Sequence, residues 1–266
     1  MKNILVIAFV VLTASSSLRA EENILRVCAD PNNLPFSNKF EEGFENKIVD
    51  LIAAELKSKV EYTWWAQRRG FERNTLGAEK CDLWPGIAST SEGITVTRPY
   101  YRSTYVFLSR ADRQLDINSY DDPRLADLII GVQMIGDDGA NTPPAHALTS
   151  QGHVNNIRGY MIYGDYKQIN PSSTIIEAVV SGEVDLAVVW GPLAGYFSEM
   201  SSIKLTTTPV NSISSNSPWN MVFDISMGVK DDNVILKAKL DKILTKERDK
   251  IHNILSKYNV PLVKND

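Results

Sequence analysis

The segment CDLWPGIASTSEGITVTRPYY, from Cys81 to Tyr101, carries polar side chains directly after an apolar strand. Thr90 supplies a hydroxyl and Glu92 a carboxylate, as in a loop that grips a small acidic ligand. A basic residue after Glu92 would clamp the ligand carboxylate through charge-assisted hydrogen bonds, but Gly93 stands there. We expect Glu92 either to be exposed or to pair with Arg98, the next basic residue along the chain.

Recognisable catalytic and metal-binding motifs are missing from the sequence. The three histidines, His146, His153 and His252, lack the H-E-x-x-H spacing of zinc enzymes, and the two cysteines lack C-x-x-C spacing. Asp137 and Asp138 offer too few oxygen ligands for calcium, which favours helix capping or a surface loop. Since a nucleophile elbow, phosphate loop and dinucleotide fingerprint are also missing, we expect no enzyme, no cofactor and no metal.

The first twenty residues, MKNILVIAFVVLTASSSLRA, are typical of a secretory signal peptide at positions 1–20. Their apolar run is shorter than the roughly 20 residues that a membrane-spanning helix needs. No later segment is apolar enough to span a membrane, so we expect an exported chain. Without Lys2 and Arg19 the formal charge falls from -4 to -6, because two positive charges are lost. An acidic surface argues against nucleic acid as a partner.

Two cysteines, Cys28 and Cys81, remain in a chain that we expect in an oxidising compartment. Cys28 lies in ILRVCAD and Cys81 begins CDLWPGIA, and both segments are predicted to be neighbouring parallel strands. A disulfide and two free buried thiols are both compatible with that placement.

The order of predicted elements indicates two α/β lobes. In the first lobe a strand at ILRVCAD, a helix at FENKIVDLIAAELK and a strand at KVEYTWW form a parallel β-α-β unit with a right-handed crossover. A second helix is expected across RGFERNTLGAE.

A second βα cycle begins at LIIGVQM and includes the strand VDLAVVWG and the helix PLAGYFSEM. One amphipathic helix is expected at the carboxyl terminus. We assign residues 21–109 and 224–266 to lobe 1 and residues 110–223 to lobe 2, joined by a two-stranded hinge. A cleft between such lobes is the expected binding site.

The segment ADPNNLPFSNKFEEGFENKIVDLIAAEL resembles the opening of type II periplasmic solute-binding proteins of the polar amino-acid class. That family has a Pro-Phe loop followed by a Gly-Phe-acidic helix start, matched here by Pro35, Phe36, Gly43, Phe44 and Glu45. Its D-x-x-x-x-G-x-x-x-T-x-E-R segment, ending in Pro-Tyr, is matched by Asp82, Gly86, Thr90, Glu92, Pro99 and Tyr100. The resemblance covers essentially the whole mature chain and implies a periplasmic protein with the two-lobed fold.

Two departures from that family concern the residues that hold an amino acid. The family arginine that binds the ligand carboxylate falls on Gly93, and the second-lobe aspartate that binds the ammonium falls on Trp190. We expect Trp190 at the mouth of the cleft, with Phe36 facing it from the other lobe. Gln133 belongs to the matching GVQ segment, while Asn33 is either a cleft residue or a turn former.

A narrower resemblance involves WWAQRRGFERNTL and VVWGPLAGYF. These segments are similar to the binding-protein-like J component encoded with pyrroloquinoline-quinone (PQQ) methanol dehydrogenases, the MxaJ/XoxJ type. The resemblance implies an accessory protein that acts with a calcium- or lanthanide-dependent dehydrogenase and its cytochrome c, in maturation or activation. The alternative is a substrate-binding protein of an ABC uptake system for a solute other than an amino acid.

The sequence also offers candidates for contact with a protein partner. Trp65 follows a strand and is expected to face solvent or the cleft, and Trp and Arg are enriched in binding hot spots. Arg68 and Arg69 could hold acidic groups of that partner. Strand-end packing of the tryptophan and a solvated arginine pair are the structural alternatives.

Overall fold

The computed structural model describes residues 23–135, 141–163, 165–211 and 218–264. The predicted signal peptide at 1–20 and the Asp137–Asp138 pair lie outside these ranges. Within them, no helix combines the length and the apolar character needed to cross a bilayer.

The described chain alternates strands and helices along most of its length. The strands are β1 Ile24–Ala29, β2 Asn32–Asn33, β3 Ser37–Asn38, β4 Lys59–Trp64, β5 Leu83–Ala88, β6 Thr95–Val96, β7 Tyr101–Arg110, β8 Ile130–Met134, β9 Ile157–Met161, β10 Leu186–Trp190, β11 Leu205–Pro209 and β12 Val222–Val229. The α-helices are α1 Phe44–Leu56, α2 Phe71–Asn74, α3 Pro143–Ser150, α4 Thr174–Ser181, α5 Gly191–Glu199, α6 Val234–Lys246 and α7 Arg248–Lys257.

Most strands join one continuous sheet in the order β4-β1-β5-β12-β7-β10-β8-β9, with β6 paired to β12 and β11 to β7. β1 runs parallel to both β4 and β5, which confirms the predicted β-α-β unit. β2 and β3 form a separate two-stranded ribbon.

Strand β7 changes partners halfway along its length. Thr104 pairs with Val222 at the start of β12, whereas the next residue, Tyr105, pairs with Trp190 at the end of β10. The first half of β7 therefore belongs to the β1 side of the sheet and the second half to the β8 side. The predicted lobe limits at 109/110 and 223/224 remain predictions, and the partner change falls a few residues before the first of them.

The predicted spacing of helix α1 is confirmed by its packing. Phe44, Ile48 and Ile52 are fully buried against the β1 side of the sheet. On the other side of the partner change, helices α3 and α4 cover opposite faces through two separate apolar clusters. Each half of the molecule therefore has its own core.

Two predicted helices differ from the structure. The helix expected across RGFERNTLGAE is only the single turn α2, because the side chains of Asn74 and Thr75 bond to the carbonyls of Gly70 and Phe71 and compete with helical geometry. The carboxyl-terminal helix is divided into α6 and α7 at Glu247. The side chain of Glu247 is 5% exposed and pairs with Lys246 and Lys250.

Cys28 and Cys81 form a disulfide, with their Cα atoms 5.6 Å apart. Of the two interpretations open from the sequence, the bonded one is therefore correct. Phe71 and Leu76 pack against the bond, so the short α2 region is fastened over the β1–β5 junction.

Replacing both cysteines, Cys28→Ser with Cys81→Ser, should lower the free energy of unfolding. The bond closes a segment with a sequence separation of 53, for which the chain-entropy relation gives about 4 kcal/mol. Urea unfolding should show this loss, and the parent protein under reductant should match the untreated variant. A loss below about 1 kcal/mol would contradict the expectation.

Candidate functional site

A cavity of about 330 Å³ lies between the two halves of the molecule. Its wall combines aromatic rings, neutral polar groups and one acidic side chain. The lining residues are Asn33, Phe36, Glu45, Gln67, Gly86, Ile87, Ala88, Tyr101, Tyr105, Gln133, Ile162, Tyr163, Ser172, Trp190, Leu193, Phe223 and Ile225.

The amino terminus of α1 positions one wall of the cavity. The backbone N–H groups of Phe44 and Glu45 donate to the carbonyls of Pro35 and Phe36, at 2.8 and 3.0 Å. Gly43 allows this approach, because a Cβ atom there would lie 2.0 Å from the Phe36 carbonyl oxygen. The loop and the helix start therefore form one unit that presents Phe36 and Glu45 together.

The opposite wall is aromatic and follows from the partner change in β7. Tyr105 and Trp190 are paired across the strands, and their rings meet edge-to-face at 5.2 Å between centroids. The Phe223 ring lies 6.0 Å from that of Trp190 and 6.3 Å from that of Tyr105. These three rings form one aromatic surface, in the edge-to-face geometry that aromatic pairs prefer.

Glu45 is the buried carboxyl of the cavity. Its residue is 7% exposed, and its Oε1 would lie 2.0 Å from a Cβ atom placed on Gly86. Burial, and secondarily the charge of Asp30, raises the pKa of Glu45 to about 8. Among the described residues, no side chain or backbone group hydrogen-bonds to this carboxyl or pairs with it.

Asp30 joins the two halves of the molecule through hydrogen bonds beside the cavity. This residue is 1% exposed and accepts hydrogen bonds from the backbone N–H groups of Asn32 and Gln67, at 2.8 and 2.6 Å. The hydroxyl of Tyr166, from the other half, also donates to it. Arg68 covers the Tyr166 ring at 4.5 Å, a cation–π contact. Burial raises the pKa of Asp30, and these hydrogen bonds oppose the shift.

Further hydrogen bonds join the same two segments. The Asn32 side chain donates to the Gln168 carbonyl at 2.8 Å and accepts from the Asn170 backbone at 3.3 Å. The Ser172 hydroxyl donates to the Leu34 carbonyl at 2.9 Å. Both halves are therefore held in contact by the chain's own groups.

The structure distributes the sequence-predicted residues over several places. Asn33, Phe36, Gln133 and Trp190 line the cavity. Trp65 is 41% exposed, with the Lys80 ammonium 5.2 Å from its ring centre. The Arg68 guanidinium lies over the Tyr166 ring. Arg69, the next residue along the chain, is exposed.

The loop at residues 90–93, where the sequence lacks the basic residue of a ligand clamp, does not line the cavity. Thr90, Glu92 and Gly93 are exposed, and a Cβ atom on Gly93 would meet nothing within 4 Å. Arg98 donates to the Thr245 hydroxyl and to Asp241 on α6. These four residues are therefore not brought together with Trp190.

Sequence reasoning missed the cavity roles of Glu45, Tyr101, Tyr105 and Phe223. Glu45 had a detectable signal, since it is an acidic residue beside the buried face of an amphipathic helix. Tyr101 and Tyr105 on β7 and Phe223 on β12 had no such signal in the sequence, because their positions depend on where β7 changes partners. Within the described chain, no group of three or more His, Cys, Asp or Glu residues could hold a metal ion.

The fold and the interlobe cavity define the class of the protein. The ancestral cationic amino-acid solute-binding protein AncCDT-1 is similar over 89% of this chain and 96% of its own, with a TM-score of 0.68 at 19% identity. The chain therefore has the type II periplasmic binding protein fold, as predicted. No protein-family model matches the sequence.

Closer relatives specify the family. Protein MoxJ of Methylorubrum extorquens is 32% identical over 94% of this chain and 85% of its own length. The crystal structure of the periplasmic binding protein XoxJ from Methylobacterium extorquens AM1 is 36% identical, covers 91% of this chain and all of its own, and gives a TM-score of 0.74. The chain belongs to the MoxJ family of solute-binding-protein-like proteins.

Replacing Tyr166 by Phe should lower the free energy of unfolding by weakening the contact between the lobes. The change removes one donor from the buried Asp30 carboxyl, and hydrogen bonds to charged groups contribute about 1.5 to 3 kcal/mol. Urea unfolding of Tyr166→Phe should show a loss in that range. Tyr163→Phe is the matched control, because the Tyr163 hydroxyl has no hydrogen-bond partner among the described residues. Equal losses in the two variants would contradict the assignment.

Replacing Glu45 by Gln should change how stability depends on pH. Because the pKa of Glu45 is raised to about 8 in the folded protein, the folded state binds its proton more tightly than the unfolded chain, and stability falls as pH rises from 5 to 8. The Glu45→Gln variant lacks this pH-dependent contribution to the free energy of unfolding, because its side chain does not titrate. Its free energy of unfolding relative to the parent should improve by about 3 kcal/mol over that interval, as measured by urea unfolding at each pH. A difference that is constant with pH would contradict the assignment.

Proposed function

We propose that this protein is a periplasmic accessory protein of a PQQ-dependent methanol dehydrogenase and acts by binding the enzyme during maturation or activation. The observation that carries the proposal is the likeness to MoxJ over nearly the whole chain. MoxJ and XoxJ relatives support an association with methanol oxidation systems, and XoxJ is described as a periplasmic binding protein. The dehydrogenase is of the calcium or the lanthanide type, and its cytochrome c is a second candidate partner.

The chemistry of the cavity supports a role other than amino-acid uptake. An amino acid needs a cation for its carboxylate and an anion for its ammonium group when it leaves water. The described lining contains no Lys or Arg, and Trp190 occupies the position of the family's ammonium-binding aspartate. The carboxylate that every amino acid carries is therefore left without a charged partner among the described lining residues.

The outer surface offers contacts for a protein partner. Phe40 is 81% exposed and Ile169 is 89% exposed. Both lie close to Asn32. Asn38, two residues before Phe40, pairs with Asn32 in the β2–β3 ribbon. The Asn32 side chain hydrogen-bonds to Gln168 and Asn170, which are the chain neighbours of Ile169. Trp65 and Arg68 belong to the same end of the molecule, beside the carboxyl end of β1 and β4. Large exposed apolar side chains near arginine are common in protein interfaces.

A substrate-binding protein of an uptake system is the second candidate, and the cavity of about 330 Å³ favours it. Its solute would not be an amino acid. Genes for a permease and an ATPase beside this one would support uptake, whereas genes for a dehydrogenase and a cytochrome would support the accessory role.

Replacing Trp65 by Ala should weaken binding to the purified dehydrogenase by about tenfold or more, since a hot-spot tryptophan contributes about 2 kcal/mol. Surface plasmon resonance at low salt measures the affinity. Ile235→Ala is the control, because Ile235 is 70% exposed and lies near the amino end of β1, away from the cleft. No binding by the parent protein would refute the accessory role, and equal weakening by both variants would refute this surface.

A further inference from the structure

The Glu45 carboxyl is the acidic group of the described cavity lining. It is buried, lies against Gly86 and has no hydrogen-bonding or charged partner among the described residues. An ionised carboxylate without a partner is unfavourable in such surroundings. A ligand that supplied a positive charge would remove that cost.

The rings around the cavity favour the same charge. Phe36, Tyr101, Tyr105, Trp190 and Phe223 all line it. The faces of aromatic rings carry negative potential and attract cations, most strongly where water is excluded. A carboxylate among several rings is the arrangement that recognises organic ammonium ions.

The amide and serine side chains of the wall restrict which charged groups the ligand can carry besides its ammonium. Asn33, Gln67, Gln133 and Ser172 are neutral. Two of them are already engaged, because Gln133 accepts from the Trp190 backbone at 3.1 Å and the Ser172 hydroxyl donates to Leu34. Among the described lining residues, no cation is therefore available to balance a carboxylate on the ligand.

We propose that the cavity binds a small organic cation, an ammonium ion with carbon substituents and no acidic group, between the Glu45 carboxylate and the aromatic rings. This assignment goes beyond the proposed accessory function and does not depend on it. A protein that binds the dehydrogenase and one that does not can both hold such a ligand.

Binding should release a proton. With a pKa near 8, Glu45 holds its proton at pH 7 and must lose it to pair with a cation. The ionisable groups that face it are Asp30 and the hydroxyls of Tyr62, Tyr100 and Tyr101. Burial raises the pKa of each tyrosine, so these hydroxyls stay neutral in the working range. Asp30 already accepts three hydrogen bonds.

The test uses isothermal calorimetry on the full mature chain with two cations, choline and n-butylammonium. The neutral control is 3,3-dimethylbutan-1-ol, which has the shape of choline without its charge. We expect at least one cation to bind, and the alcohol to bind at least about tenfold more weakly. In buffers of different ionisation enthalpy at pH 7, the bound cation should release close to one proton.

Two variants assign the binding to Glu45. Glu45→Gln removes the charge, and Gly86→Ala displaces the carboxyl without changing its chemistry, because the new Cβ would lie 2.0 Å from Oε1. Both should lose about tenfold or more in cation affinity, while Thr90→Ala, on the exposed loop, should bind like the parent. The proposal is overturned if neither cation binds, if the alcohol binds equally well, if Glu45→Gln retains full affinity, or if no proton is released.

Discussion

The central constraint of this structure is that strand β7 belongs to both lobes. A strand can hydrogen-bond to only two neighbours at any point; β7 pairs with β12 up to Thr104, with β10 from Tyr105 onward and with β11 from Val106 onward. The end of β10 and the start of β12 therefore meet at the same point of β7, one on each side of it. The rings of Tyr105, Trp190 and Phe223 meet there because their backbones are already fixed by the two ladders.

The second feature is the closure of the cleft by groups of the chain itself. Asp30 receives a hydroxyl from Tyr166, and Arg68 covers the same tyrosine ring. In a solute receptor a ligand commonly supplies the contacts that hold two hinged domains together. Here part of that stabilisation comes from the chain's own groups.

Particular residues show how far sequence reasoning reaches at the site. Phe36, Gln133 and Trp190 could be placed in the cleft, because each follows or ends a recognisable segment. Gly93 directed attention to a missing clamp, yet it lies on an exposed loop and a larger residue there would contact nothing within 4 Å. The lack of a basic group among the described lining residues becomes visible only from the whole wall, whereas the sequence traced the missing amino-acid contacts to single positions.

The sequence by itself determined the two-lobed α/β fold and the parallel β1–β5 neighbourhood that permits the disulfide, because periodicity and segment order act locally along the chain, and the resemblance of several segments indicated the family. Only the tertiary structure decided that the two cysteines are bonded and that Glu45 lies among aromatic rings without a partner in the described part of the chain. It also decided that Asp30 and Tyr166 meet across the lobes. These outcomes depend on contacts between residues far apart in sequence, and burial, which sets their energies, exists only once the lobes are packed.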